Sequence, residues 1–256
     1  MIPRIAYIDM EFAGVYGTHQ RMQIPIEIGA VIHEPDTNTV SFSGRAFKRA
    51  INVELWKNIT DDVGKRIAGQ RRVFNLASPQ QIKNFNKKFH LGNEERKEAD
   101  QTIAAVYQDL REFMQGLNHK DIGTLTFFAR RREIETFRYS RVRTDGFIIR
   151  DLQEEIRSYF HLKEDVSLDR VSLVSRFGIS KSKVKSEHFS YSLPEKFRYL
   201  IKPHKAIGDA CRIFLGDLEF HQYPEIFGEQ LTGHLEEYER RKLAEKPVQD
   251  RRTGQF

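Results

Sequence analysis

"IAYIDMEFAG", residues 5–14, begins as a short apolar run that ends abruptly in two acids, Asp9 and Glu11, with one residue between them. In a strand, side chains two apart share a face, so these carboxylates stand side by side and repel each other. Gly14 and Gly17 follow, so the chain is expected to turn away and leave both acids at the C-terminal end of the first strand. Two readings are open at this point. The pair is either a set of solvated strand-end acids or half of a site for a hard divalent cation, which prefers oxygen ligands and removes the repulsion. The second reading requires more acids and a base elsewhere in the chain.

Strand patterning continues outward from this stretch. "IPIEIGAVI" (24–32) alternates and then becomes continuously apolar, as a central strand does, and "EPDTNT" carries the Pro, Asp and Asn of a hairpin turn. Strands are therefore expected at 4–10, 24–33 and 39–48, forming an antiparallel meander. Residues 49–98 are polar and basic and read as helical turns and loops. Ile103, Val106, Leu110 and Phe113 recur at the spacing of one helix face, which predicts a helix over 99–115. A strand at 123–129, a helix from "RREIETF", a strand at 145–151 and a helix at 152–160 follow. "SLDRVSLVSRFGI" predicts a helix ending at Gly178, and 180–203 reads as a basic, aromatic-bearing loop or insertion. An amphipathic helix from "HKAIGDACRIF" and an exposed helix from "GEQLTGHLEEYER" complete the pattern, and 247–256 is a polar tail. Strands first and then alternating helices and strands predict one α/β domain with a mixed five-stranded sheet flanked by helices.

Composition narrows the class of molecule. The chain has 256 residues, 39% of them apolar and 30% charged, which suits a globular protein with an ample core. No run approaches the roughly 18 apolar residues of a membrane span. The N-terminus enters a strand-like segment directly, and the single Cys211 excludes an internal disulfide or a multi-cysteine zinc site, so a cytoplasmic location is expected. Net charge is +6 and the pI is about 9.3, as suits either a polyanionic partner or ordinary solubilising cations.

The further acids and the base come from "HKAIGDA", where His204 and Asp209 lie five apart. If a helix begins just after His204, the histidine sits on the entering loop and Asp209 on the first turns, facing the sheet. A carboxylate on so apolar a helix needs a partner, and a cation is one. The alternative is a helix-start acid favoured by the macrodipole, beside a loop histidine of no special role.

D-x-E on the first strand, "PIEIGAV" on the second and H-x-A-x-x-D-A late in the chain resemble the DEDDh 3′–5′ exonucleases, the DnaQ-like branch of the RNase H-like fold. The resemblance extends from about residue 4 to residue 220 and takes in "IIRDLQEEIRSYFHL" and "VSLDRVS". It implies an exonuclease-like domain over 1–220, with 221–256 as a C-terminal helix and tail. It implies two divalent ions, Mg2+ or Mn2+. Asp9 would bridge both, Glu11 and Asp209 would complete the tighter shell, and His204 would be the general base. The family's second-motif Asp falls on "FFARRREIETF", where the best match is Glu133, with Ala129 in the place of a common Gly. Glu135 is a second candidate on a different helical face.

Further residues are expected to touch substrate. Arg130, Arg131 and Arg132 precede Glu133 and could hold phosphates, although three cations at a helix start oppose the dipole. Lys181, Lys183 and Lys185, with Phe189, Tyr191, Phe197 and Tyr199, could wall a substrate strand, although Phe197 and Tyr199 suit the core equally well. By analogy with the family, Phe12 could wedge against a terminal base, while Met10 faces the core. The expectation is hydrolysis of single-stranded DNA or RNA from 3′ ends to nucleoside monophosphates. The alternative is a catalytically weakened nucleic-acid-binding module, or a subunit of a larger nucleic-acid-processing complex, that kept the fold.

Overall fold

A computed structural model describes residues 2–15, 22–47, 93–118, 121–180, 182–202 and 204–244. The elements in chain order are β1 (Arg4–Val15), β2 (Met22–Glu34), β3 (Thr39–Ala46), α1 (Asn93–Asn118), β4 (Ile122–Phe127), α2 (Arg131–Ser140), β5 (Ile148–Asp151), α3 (Leu152–Tyr159), α4 (Leu168–Val174), β6 (Gly178–Ile179), β7 (Lys183–Lys185), β8 (Ser190–Ser192), α5 (Glu195–Arg198), α6 (Ala206–Gln222) and α7 (Pro224–Ala244). Most of the expected loop region 49–98, together with Gly17, Lys181 and the tail, lies outside the described residues.

The five-stranded sheet has the order β3-β2-β1-β4-β5. β1, β2 and β3 pair antiparallel, and β1–β4 and β4–β5 pair parallel. The expected meander and mixed sheet are both present. One local expectation fails: β1 does not end at the acids. It runs on to Val15, still paired with β2, with a register shift between Glu11 and Phe12. The acids therefore stand inside a long hairpin rather than at its end, because the ladder continues past a bulge instead of turning.

Strand alternation divides the molecule into two layers. Ala6, Ile8, Met10 and Phe12, with Ile28, Ala30 and Ile32, face α1 and its Val106, Leu110 and Phe113. Tyr7 and Val31 face the other way, toward Ile207, Ala210 and Phe214 of α6. Each large apolar side chain so buried contributes about 1.5–3 kcal/mol. The same alternation puts Asp9 and Glu11 on the α6 side. α7 packs on this layer through Phe227 and Leu231, so its N-terminal half is anchored rather than exposed.

Two expectations in 168–203 are corrected. α4 stops at Val174, and Gly178 opens a strand rather than capping a helix. The basic "KSKVK" segment contributes to a small antiparallel sheet, β6-β7-β8, rather than a loop. This sheet sits at the end of the main sheet remote from Asp9. Its Tyr191 hydroxyl donates to Asn38 in the β2–β3 turn at 2.8 Å, and His188 meets Glu219 near the C-terminus of α6. Among the described residues, no helix is long and apolar enough to cross a membrane.

That remote end carries a satisfied ion network. Arg150 on β5 is hydrogen-bonded to Glu155 and, at 2.8 Å, to Asp217 on α6. The Tyr7 hydroxyl donates to Asp217 at 2.8 Å, and the His221 ring lies 3.1 Å from it. Burial alone would raise the Asp217 pKa, but His221 and Arg150 more than offset it and leave it lowered. His221 is raised, first by its hydrogen bond to Asp217. Asp217 therefore stabilises the fold above the unfolded-state value of 3.8 and loses that contribution as pH falls through its lowered pKa. His221 contributes fully below 6.5 and loses its contribution as pH rises through its raised pKa. The network accordingly contributes most between those limits. Asp217→Ala is expected to cost about 3 kcal/mol, because it removes the buried acceptor shared by Arg150, Tyr7 and His221 while Arg150 keeps Glu155. Thermal melts of that variant should show a fall on the order of 10 °C, and Arg150→Met with Asp217→Leu should recover part of it.

Candidate metal centre

The site begins with a glycine. Gly29 of β2 lies opposite Asp9 of β1, and Glu27 lies opposite Glu11. A Cβ on Gly29 would fall 2.2 Å from the backbone nitrogen of Ile207, so the first turn of α6 rests directly on β2 there. Gly208 admits the backbone of Lys202 in the same way, at 2.2 Å from its carbonyl oxygen. These two contacts set the start of α6 against the acid-bearing stretch of the hairpin. Asp209, in the first turn, is thereby brought toward Asp9 and Glu11 across 200 residues of sequence, as the reading of "HKAIGDA" expects for its facing.

His204 stands on the entering loop and is exposed, with a left-handed backbone (φ 60°). Its backbone N–H donates to Asp209 Oδ2 at 3.1 Å. Asp209 Oδ1 accepts from Arg212 at 3.0 Å, and Arg212 also donates to Asp169 of α4 at 2.7 Å. Ligand atoms of Glu11, His204 and Asp209 lie within 4.8 Å of one another.

Glu133 enters from the other wall of a cleft of about 590 Å³ that it shares with Asp9, Glu11, His204 and Asp209. It lies in the first turn of α2 and is buried, and its Oε2 has no hydrogen-bond partner. The start of α2 is held by Asp151, whose carboxylate accepts the backbone N–H groups of Ala129 (3.1 Å) and Arg130 (3.0 Å) while also capping α3. Sequence reasoning missed Asp151, Glu27 and Arg212. An acid closing β5 just before a helix is a recognisable N-cap signal, but its hold on Ala129 and Arg130 depends on the parallel pairing of β4 and β5.

The carboxyl groups are electrostatically strained. Burial first, then the charges of Asp209, Glu133, Glu11 and Glu27, push the Asp9 pKa well above its usual range. Burial pushes Glu133 up to about 7, with its own backbone hydrogen bond and Arg132 offsetting only part. Burial also raises Asp209, against the lowering effects of Arg212 and His204. Such a set of oxygen donors, one of them buried and unpartnered, fits a hard divalent cation.

The expected substrate contacts separate into three groups. Arg131 and Arg132 line the cleft. Arg130 does not; its guanidinium is drawn to the Ile149 carbonyl and Glu154 on the β5–α3 side. Lys183 and Lys185 are exposed on β7 at the remote end of the sheet, so they cannot wall this cleft, and Lys181 lies outside the described residues. Phe12 borders the cleft but is only 4% exposed, with the Arg132 guanidinium 5.6 Å from its ring centre, so it is not a free wedge. Its even position in β1 turns it to the α1 layer. Glu135 also reaches the cleft, paired with Arg131 at 3.3 Å.

Two outcomes follow from this geometry. Because the folded pKa of Glu133 lies above its unfolded value, its contribution to stability is lost as pH rises from about 4.5 to about 7. Melts of metal-free protein should show that decline, and Glu133→Gln should flatten it. Ala129 has φ 60°, a conformation glycine adopts freely. Ala129→Gly is expected to stabilise by about 0.5–1 kcal/mol, after the unfolded-state entropy of glycine is subtracted, read as a melting rise of roughly 1–4 °C. No family model, no curated protein and no solved structure matches the chain.

Proposed function

We propose that the protein is a divalent-metal-dependent 3′–5′ exonuclease of the DnaQ-like, RNase H-like type, acting on single-stranded DNA or RNA. The observation that carries this reading is the convergence of Asp9, Glu11, Glu133 and Asp209 from β1, α2 and α6 on one cleft, with His204 at its lip. Asp9, Glu11, Asp209 and Glu133 would hold two Mg2+ or Mn2+ ions. Bound there, such ions supply charge stabilisation for the phosphodiester and ease deprotonation of water.

The remaining roles belong to the chain itself. His204 projects from the cleft margin and accepts the proton of the attacking water, the role histidine most often fills in general-base catalysis. Arg131, on the exposed rim, and Arg132 offer cations to the phosphates on either side of the scissile bond. The net charge of +6 favours approach of a polyanion to a site that is locally acidic.

A second reading, a nucleic-acid-binding module with little or no activity, is favoured by one feature. Glu133 is a methylene longer than the expected Asp, and with a pKa near 7 it is partly neutral at working pH. End-labelled single-stranded DNA and RNA, incubated with Mg2+ or Mn2+, should be shortened from the 3′ end with release of nucleoside monophosphates. Asp9→Ala and His204→Ala should each abolish this, and Mn2+ should raise the melting temperature of wild type but not of Asp9→Ala. Intact DNA and RNA would sink the exonuclease reading. A gain of activity in Glu133→Asp over an inert parent would assign the loss to that residue.

A further inference from the structure

Strand register presents Glu27 as a fifth acid of the cluster, because it lies directly across from Glu11 on the face that carries Asp9. Its contact with α6 indicates a different role. Lys205 Nζ lies 3.0 Å from Glu27 Oε2, and the Glu27 side chain is only 9% exposed. Lys205 is the N-cap residue of α6 and has no side-chain cap of its own. It is flanked by His204, the left-handed residue, and by Ala206 and Ile207, which rest on Gly29.

We infer that Glu27 and Lys205 form a clamp that positions His204 over the acidic cleft, and that Glu27 is a positioning residue rather than a metal ligand. Three restraints act on this one loop. The Gly29 contact fixes the height of the α6 start above β2. Asp209 Oδ2 holds the His204 backbone N–H from the helix side. The Lys205–Glu27 pair holds the next residue from the sheet side. The first two restrain backbone, as does the Lys205 N–H, which donates to the Lys202 carbonyl at 3.2 Å. The ion pair supplies the lateral restraint, and its partly buried setting lets it persist where an exposed pair would contribute little. The ammonium also offsets charge beside Glu11, so the acids crowd together without Glu27 adding its full repulsion.

The catalytic consequence rests on the nuclease reading, whereas the clamp itself does not, and the test separates them. Amide hydrogen exchange across residues 204–209 should quicken roughly tenfold in Lys205→Met and in Glu27→Gln. It should return toward wild type in Lys205→Arg and in the charge-swapped Glu27→Lys/Lys205→Glu protein. Turnover of a labelled single strand should fall about 10-fold or more in Lys205→Met with KM little changed, because the base is misplaced while the strand still binds. Mn2+ affinity, read by electron paramagnetic resonance, should be retained in Glu27→Gln and lost in Asp9→Ala. Unchanged exchange in Lys205→Met overturns the clamp. Loss of Mn2+ binding in Glu27→Gln as complete as in Asp9→Ala overturns it too, by making Glu27 a ligand. Wild type that cuts neither DNA nor RNA defeats the nuclease reading, and the exchange measurement still decides the clamp.

Discussion

The whole arrangement depends on one close approach, the start of α6 resting on Gly29. A side chain at that position would meet the Ile207 backbone at 2.2 Å, well inside contact distance, so the helix would have to lift. Lifting it would part Asp209 and His204 from Asp9 and Glu11 and would loosen the apolar packing of Ile207, Ala210 and Phe214 against Tyr7 and Val31. Core and cleft therefore share a single geometric requirement. The helix cannot be placed for packing without also being placed for the acids.

The two ends of α6 treat charge in opposite ways. At its C-terminal end Asp217 is matched by Arg150, Tyr7 and His221, and its carboxylate is held in the charged form. At its N-terminal end burial drives Asp9, Glu133 and Asp209 toward protonation, and repulsion from neighbouring acids adds to it at Asp9 and Glu133. Arg212 and Lys205 relieve this only in part, through Asp209 and Glu27. One end of the helix stabilises the fold through a completed network. The other concentrates uncompensated negative charge where a cation would be welcome, a division common between structural and functional sites.

Much of this was legible in the sequence because it depends on short periods. Alternation in "IAYIDMEF" separates Met10 from Asp9 and Glu11, and a helix start after His204 places Asp209 in the first turn. What depends on distant partners was not legible. Lys205 meets Glu27 from 178 residues away, and no local pattern pairs them. The lysines of "KSKVK" read as neighbours of the cleft because they precede His204 by about twenty residues. In the fold, Tyr191 anchors their hairpin to Asn38 at the opposite end of the sheet, and the chain then returns through α5. Arg130 was misread for a similar reason, since its direction is set by β5 and α3 rather than by its own helix.

Ala129 and His204 stand on opposite margins of the cleft, and both have left-handed backbones. Glycine takes that conformation freely, asparagine, aspartate and histidine are enriched in it, and β-branched side chains are strained by it. The two rims thus disfavour β-branched side chains whatever the cleft does. Histidine is among the few residues that combine a titratable side chain with tolerance of this turn. The backbone shape at position 204 therefore bears on which side chain sits there, independently of any chemistry in the cleft.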